Sequence, residues 1–338
     1  MEQQPETTYR RSVMHLRGGL RGDLDDKQFR LFPTGRGQGA SFELDAPAKS
    51  LEVMHSLGLF RIGDEEVLVT NGLPLRIWHP DCPSVAIASW TESPSSRWQG
   101  IACSAREAGD KKTADLSQHI SFALTAASLR LRDISDSYAF QLEYALANGI
   151  LGNQKFANLE ILTLFLCCHS FLVEACSARD YLGKFLGQHV YGVVANSMAN
   201  LLKRKSPLPG HPIEMLLTQA NDKASPDGWM TRLTEYRNII THRAPIGYLG
   251  PHPRITFNMM QVNANFLRSE ITFEVPDNPF DKSTGSLCDA LQLFHSHHDM
   301  LMRFADMVTA HSPYSPTYRS FDESNIIEIE MLRVQDVR

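Results

Sequence analysis

Apolar and polar positions divide the chain into two stretches of different period. From Arg10 to Cys103, short apolar runs alternate with Gly, Pro, Asp and Ser, the pattern of strands joined by turns. The clearest runs are Ala40 to Leu44, Leu57 to Ile62, Glu66 to Thr70, Leu75 to Trp78 and Val85 to Trp90. Turn signals at Asn71-Gly72 and Pro80-Asp81 fall between them. Polar residues from Glu107 to Thr113 read as a linker. Beyond them Ile120, Leu124, Ala127, Leu131, Ile134 and Tyr138 recur at helical steps, which predicts one long amphipathic helix. After a break from Asn148-Gly149 to Gly152, a second long helix is expected from about Asn158 to His189.

A third helix is signalled by Ser225 as N-cap, Pro226 at the first helical position and Asp227 at the positive end of the dipole. Trp229, Leu233, Tyr236 and Ile240 form its apolar stripe, and Pro245 should end it within a residue or two of His242. Two alternating runs, Arg254 to Val262 and Glu270 to Val275, predict a β-hairpin. A last helix is expected from about Ser286 to His311. The fold class is therefore α+β. A β-rich part over 1–110 has no evident role, a helical part with a hairpin insertion spans 111–315, and 316–338 forms a tail.

With 338 residues, 43% of them hydrophobic, the chain can bury a sizeable core. A net charge of -5 excludes the strongly basic balance of a protein that coats nucleic acid, while leaving room for a local basic patch. Arg10, Arg11, Arg17, Arg21, Arg30 and Arg36 could line an RNA-contacting edge, but Asp23, Asp25 and Asp26 interrupt them. Six cysteines at no metal-finger or C-x-x-C spacing are expected to be reduced thiols. The polar stretch from Met1 to Arg11 carries no secretory signal, and the apolar run Ile161 to Val173 is too short to span a bilayer. A cytoplasmic protein without a membrane partner is the expectation.

Chemistry concentrates in Arg237-Asn238-Ile239-Ile240-Thr241-His242, at the end of the third helix. Arginine offers a permanent, planar charge suited to phosphate oxygens, and histidine exchanges protons near neutral pH. Asn238 and His242 are four apart and neighbours on the helix surface. Arg237 and His242 are five apart, about 140° around the axis. They can converge through the length of arginine, through unwinding at the helix end, or across a two-fold axis from a second subunit.

Arg237-Asn238 followed by His242 resembles the R-polar-x-x-x-H motif of the HEPN ribonucleases. The resemblance covers roughly residues 114 to 311, with two long helices before the motif and one behind it. It implies an antiparallel helical bundle that forms a homodimer and cleaves RNA without metal or other cofactor, in a toxin or defence role. An antitoxin or regulatory partner belongs to the same implication. Arg237, Asn238 and His242 would be catalytic, Arg243 would hold a flanking phosphate, and Glu174 or Asp180 would orient the arginine. The hairpin between the third and last helices departs from the simplest family members. A second departure is Ala244, where members controlled by nucleotidyl transfer carry a tyrosine two residues after the histidine. The alternative is a catalytically silent HEPN module that dimerises or binds RNA or nucleotide as subunit of a larger assembly. Finally, His295, His298 and Asp299 could share a face and bind metal, but no second ligand cluster accompanies them. A polar helix face is the expected reading of that run.

Overall fold

Alternation in the first eighty residues builds a single antiparallel sheet. The computed structural model describes residues 9–317 except 25–26, 34–38, 47–48, 71–72, 86–91, 226–227, 244–245, 247–254, 264–265 and 280–284. Six strands, β1 (Tyr9–Leu16), β2 (Arg21–Leu24), β3 (Gln28–Phe32), β4 (Ala40–Glu43), β5 (Arg61–Thr70) and β6 (Leu73–Pro80), lie in the order β4-β3-β2-β1-β5-β6. β1 pairs with β5 from Tyr9↔Val69 to Leu16↔Arg61, with a bulge between His15 and Leu16. Leu16, Leu20, Phe29, Leu31 and Ile62 are fully buried on the inner face. The run expected as a strand from Leu57 begins as a turn after helix α1 (Lys49–Ser56), and pairing starts only at Arg61. Past Val85, the strand expected to Trp90 lies outside the described residues, as does the tail past Thr317.

Of the arginines near the start, Arg17 and Arg21 are tied to other elements, Arg11 and Arg30 are exposed, and Arg36 and the side chain of Arg10 lie outside the described residues. Arg21 reaches Asp136 at 2.8 Å, Arg17 reaches Glu270 at 3.2 Å, and Arg11 lies 3.7 Å from Asp23.

A helix occupies the end of the stretch expected to be β-rich. α2 (Pro94–Glu107) is capped by Ser93, whose side chain accepts from the Ser96 N–H, and it carries proline in its first turn. Trp98 anchors it, fully buried, with Nε1 donating to the Ala305 carbonyl at 3.1 Å and its ring edge-on to Phe185. The expected linker shrinks to a tight turn at Ala108 to Asp110, and Asp110 caps the next helix through the Thr113 N–H at 3.0 Å.

Four further helices form the main layer: α3 (Lys111–Ala147), α4 (Ile161–His189), α7 (Trp229–His242) and α8 (Ala290–Thr309), with α5 (Met198–Arg204) and α6 (Pro212–Asn221) between α4 and α7. α4 touches α3, α7 and α8. By length and composition α4 could cross a membrane, and half of its most apolar window is buried inside the protein. The expected hairpin is β8 (Ile255–Asn263) with β9 (Phe266–Pro276), flanked by β7 (Gln154–Phe156) and β10 (Leu287–Asp289) in a second sheet of order β10-β9-β8-β7. The chain is thus α+β, and one continuous hydrophobic core joins residues of the first sheet to the helices.

Two glycines make that junction possible. In the 3-10 turn Arg17–Gly19, Gly18 and Gly19 have φ of 67° and 88°. A Cβ on Gly19 would sit 2.5 Å from the Tyr138 carbonyl oxygen of α3, so backbone meets backbone there.

The polar run on α8 is the clearest correction. His295, His297, His298 and Asp299 are buried, not solvated. The Ser128 hydroxyl donates to the Leu124 carbonyl at 2.9 Å, so His298 Nε2–H donates to Ser128 Oγ at 2.8 Å. Its Nδ1 then accepts from the Cys82 thiol at 3.8 Å. His297 Nδ1–H donates to the Leu293 carbonyl at 2.7 Å, and Asp299 accepts from the Ser84 N–H and hydroxyl. Each group spends its bonds on its own partner, and among the described residues no three His, Cys, Asp or Glu are placed to hold a metal.

Burial pushes His298 down to about 3 and His297 to about 4. An unfolded histidine titrates near 6.5, so the unfolded chain takes up protons that the folded one refuses. The stabilisation is present above about pH 6.5 and is lost as pH falls toward 4, at roughly 1.4 kcal/mol per pH unit per histidine. Urea unfolding at pH 7.5 and 5.0 should therefore show a marked loss at the lower pH. In a His298→Gln protein that slope should be shallower; an identical slope would rule out His298 as its source.

Candidate functional site

Five buried residues fix the rotation of α7. Trp229, Met230, Leu233, Tyr236 and Ile239 face inward. Trp229 meets Phe304 edge-on at 6.2 Å between centroids, and Tyr236 meets Phe294 likewise at 6.3 Å. The Tyr236 hydroxyl donates to the Pro276 carbonyl, so α7 is held to the second sheet as well. From α4, Arg179 donates to Thr234 Oγ1 at 2.5 Å and the Cys176 thiol donates to the Leu233 carbonyl at 3.9 Å. The helix starts at Trp229 with Gly228 as its N-cap and no side-chain cap bond, three residues later than Ser225 predicts. Pro226 and Asp227 lie outside the described residues.

This rotation sends the motif outward. Arg237, Thr241 and His242 are exposed, and Asn238 is half-buried. α7 ends at His242, as Pro245 predicts, and the Arg243 N–H closes the last turn on the Ile239 carbonyl at 2.9 Å. Three residues on, Ile246 is buried and its N–H donates to His169 Nε2 at 3.1 Å, which pins the chain back onto α4. Burial lowers the His169 pKa, in keeping with an unprotonated Nε2 as acceptor.

Asn238 and His242 share a surface depression of about 280 Å3, together with Ile239 and Arg243. Arg237 is not among its walls; the helical offset has carried it to a different side. The side chains of Arg237, Asn238 and His242 make no hydrogen bond or ion pair with any described residue. Arg237 stands in contrast to Arg21, Arg76 and Arg179, each of which is locked to a carboxylate.

The expected supporting residues are dispersed. Asp180 accepts from Arg179 Nε at 3.2 Å and Nη2 at 2.9 Å, and from the Met198 N–H at 3.2 Å. It positions Arg179 and the start of α5, not Arg237. Glu174 is half-buried on α4 with no hydrogen bond to a described residue. Arg179, which the sequence groups with Glu174 and Asp180 on a solvated or salt-bridged helix face, is salt-bridged and buried. It lies one position before Asp180 on a helix, where nothing in the spacing distinguishes a buried arginine from a solvated one. All six cysteines are free thiols.

No protein-family model, curated protein or solved structure matches the chain.

Proposed function

We propose that the chain is a metal-independent endoribonuclease of HEPN type, acting through Arg237, Asn238 and His242. The observation that carries this reading is that exposed Arg237 and His242 and half-buried Asn238, none bonded through its side chain to a described residue, stand on a helix whose buried face is fixed by two neighbouring helices and a sheet. A rigid support for accessible polar groups is what an active site requires. The ribose 2′-OH is the internal nucleophile of RNA. His242 takes its proton or returns one to the leaving 5′-oxygen, and Arg237 stabilises charge on the phosphorane oxygens. Asn238, beside His242 in one depression, orients the imidazole or binds the phosphate. The 2′-oxygen bonds to phosphorus as the P–O5′ bond breaks, so the products are a 2′,3′-cyclic phosphate and a 5′-OH. Because Arg237 lies off the wall that holds His242, the complete site draws the two from different copies of a homodimer.

That same offset favours the silent-module reading, so the test must separate the two. Purified protein is incubated with total RNA in EDTA beside His242→Ala, and the ends are mapped. Cleavage that persists in EDTA, leaves cyclic-phosphate ends and disappears in the variant is expected. Equal behaviour of the two proteins would remove His242 from catalysis and leave the binding module.

A further inference from the structure

A second concavity, of about 500 Å3, opens between α1, the start of β5, the segment after β6 and α8. Its size falls within the range of small-molecule pockets, roughly 300–1,000 Å3. On α8 it is lined by Gln292, His295, Ser296 and Asp299, which at spacings of three and four form one face. Phe294, His297 and Phe304, which meet α7, lie on another face of α8. The cavity is therefore separate from the α7 site, and its walls come from parts of the chain that the ribonuclease reading does not use.

Its lining defines the ligand. Met54 and Leu59 are buried, and Phe60 stacks on His295 with centroids 6.0 Å apart and planes 19° from parallel. The pair gives the cavity a partly apolar wall, and the Arg17 guanidinium lies over the Phe60 ring, 5.4 Å from its centroid. The His295 tautomer is fixed by its partner: Nε2 lies 2.9 Å from the Asp81 carbonyl oxygen, which can only accept, so Nε2 carries the proton. Burial lowers the His295 pKa, so the ring is neutral and Nδ1 holds a lone pair that no described residue engages.

Charge decides the rest. The lining cation, Arg61, is already bound by Asp81 at 2.7 Å and Asp64 at 3.1 Å. Asp299 adds a further carboxylate, and rim residue His55 faces the same space. With Arg61 neutralised, a phosphate or carboxylate ligand would meet mainly acceptors. A neutral ligand with N–H donors would meet partners for them.

We infer that this cavity binds a small planar heteroaromatic compound bearing N–H donors and no phosphate, the chemistry of a free aminopurine base, with His295 Nδ1 accepting from it. Ligand-observed NMR on the full chain tests this with adenine, adenosine 5′-monophosphate and benzoate as probes. Adenine should bind, and the two anions should bind at least tenfold more weakly. Absence of adenine binding, or equal binding of the monophosphate, would overturn the proposal.

Two variants locate the site. Ser296→Trp places an indole at the exposed rim without touching the core and should abolish adenine binding with unchanged thermal unfolding. His295→Phe keeps the ring but removes the acceptor, and should weaken binding tenfold or more. Adenine binding unaffected by Ser296→Trp would place the ligand elsewhere and refute the assignment. These readouts are independent of RNA cleavage, so they stand or fall apart from the α7 site.

Discussion

Asp289→Ala should lower folding stability by about 4 kcal/mol, from one lost helix cap and two stranded buried donors. Asp289 joins three elements through one carboxylate. Its Oδ1 accepts from the Tyr138 hydroxyl of α3 at 2.7 Å and from the Phe273 N–H of β9 at 3.0 Å. Its Oδ2 accepts from the Gln292 N–H at 3.3 Å and so caps α8. Tyr138 in turn accepts from the Leu291 N–H at 3.1 Å and is itself fully buried. Losing a cap costs about 1 kcal/mol, and each buried donor left unpaired costs roughly 1–3 kcal/mol. Burial pushes the carboxyl up to about 6, against the pull of its hydrogen bonds. A pKa raised above the unfolded value means that this group stabilises most below about pH 4 and progressively less as pH rises from there through 6. Neutral Asn keeps one acceptor oxygen, so Asp289→Asn should lose less than half as much as Asp289→Ala in urea unfolding at pH 7. A loss below about 1 kcal/mol for the alanine variant would mean that the three-way junction is not supporting the fold.

The second large effect concerns the motif. Arg237→Ala and His242→Ala should each reduce RNA cleavage by roughly 10²- to 10⁴-fold, the scale of a lost proton-transfer or charge-stabilising group. Mixing the two inactive proteins in equal amounts, with unfolding and refolding to exchange subunits, should restore about a quarter of the wild-type rate. Random pairing makes half of the dimers mixed, and each mixed dimer regains one of its two composite sites. A mixture as inactive as its components would show that arginine and histidine do not work across two chains. Restoration distinguishes this arrangement from one in which Arg237 simply bends toward His242 of its own helix.

The long helices were legible because their apolar positions repeat over many turns, and the end of α7 because proline constrains the residue before it. α2 carried a helical signal too, in Ser93-Pro94 and the inward positions Trp98, Ile101, Ala102 and Ala105. Its small residues give little contrast between faces, so the Gly- and Ser-rich surroundings dominated the local pattern. The buried histidines of α8 were misread for a different reason. A sequence reports that a residue is polar, whereas burial depends on whether Ser128, Cys82 or a carbonyl waits at the other end. For the candidate site, the chain order revealed which three residues lie close together and the 140° offset between two of them. It did not reveal that Asp180 belongs to Arg179, a pairing set by how α4 meets α7. The cavity beside α8 combines residues from Leu51 to Asp299, too far apart in sequence for any local pattern to announce.

The contact of Gly19 with Tyr138 sets a limit on dissecting this molecule. Where main chains touch, no side chain can repack to absorb a change, and the sheet fits α3 at a fixed depth. Deleting the first hundred residues would therefore not yield a smaller, self-sufficient helical unit. It would strip Ser135 and Asp136 of their bonds to Arg21 and Arg76 and bare the part of α3 on which the sheet rests. Any attempt to transplant the motif-bearing half into another protein has to carry the sheet with it.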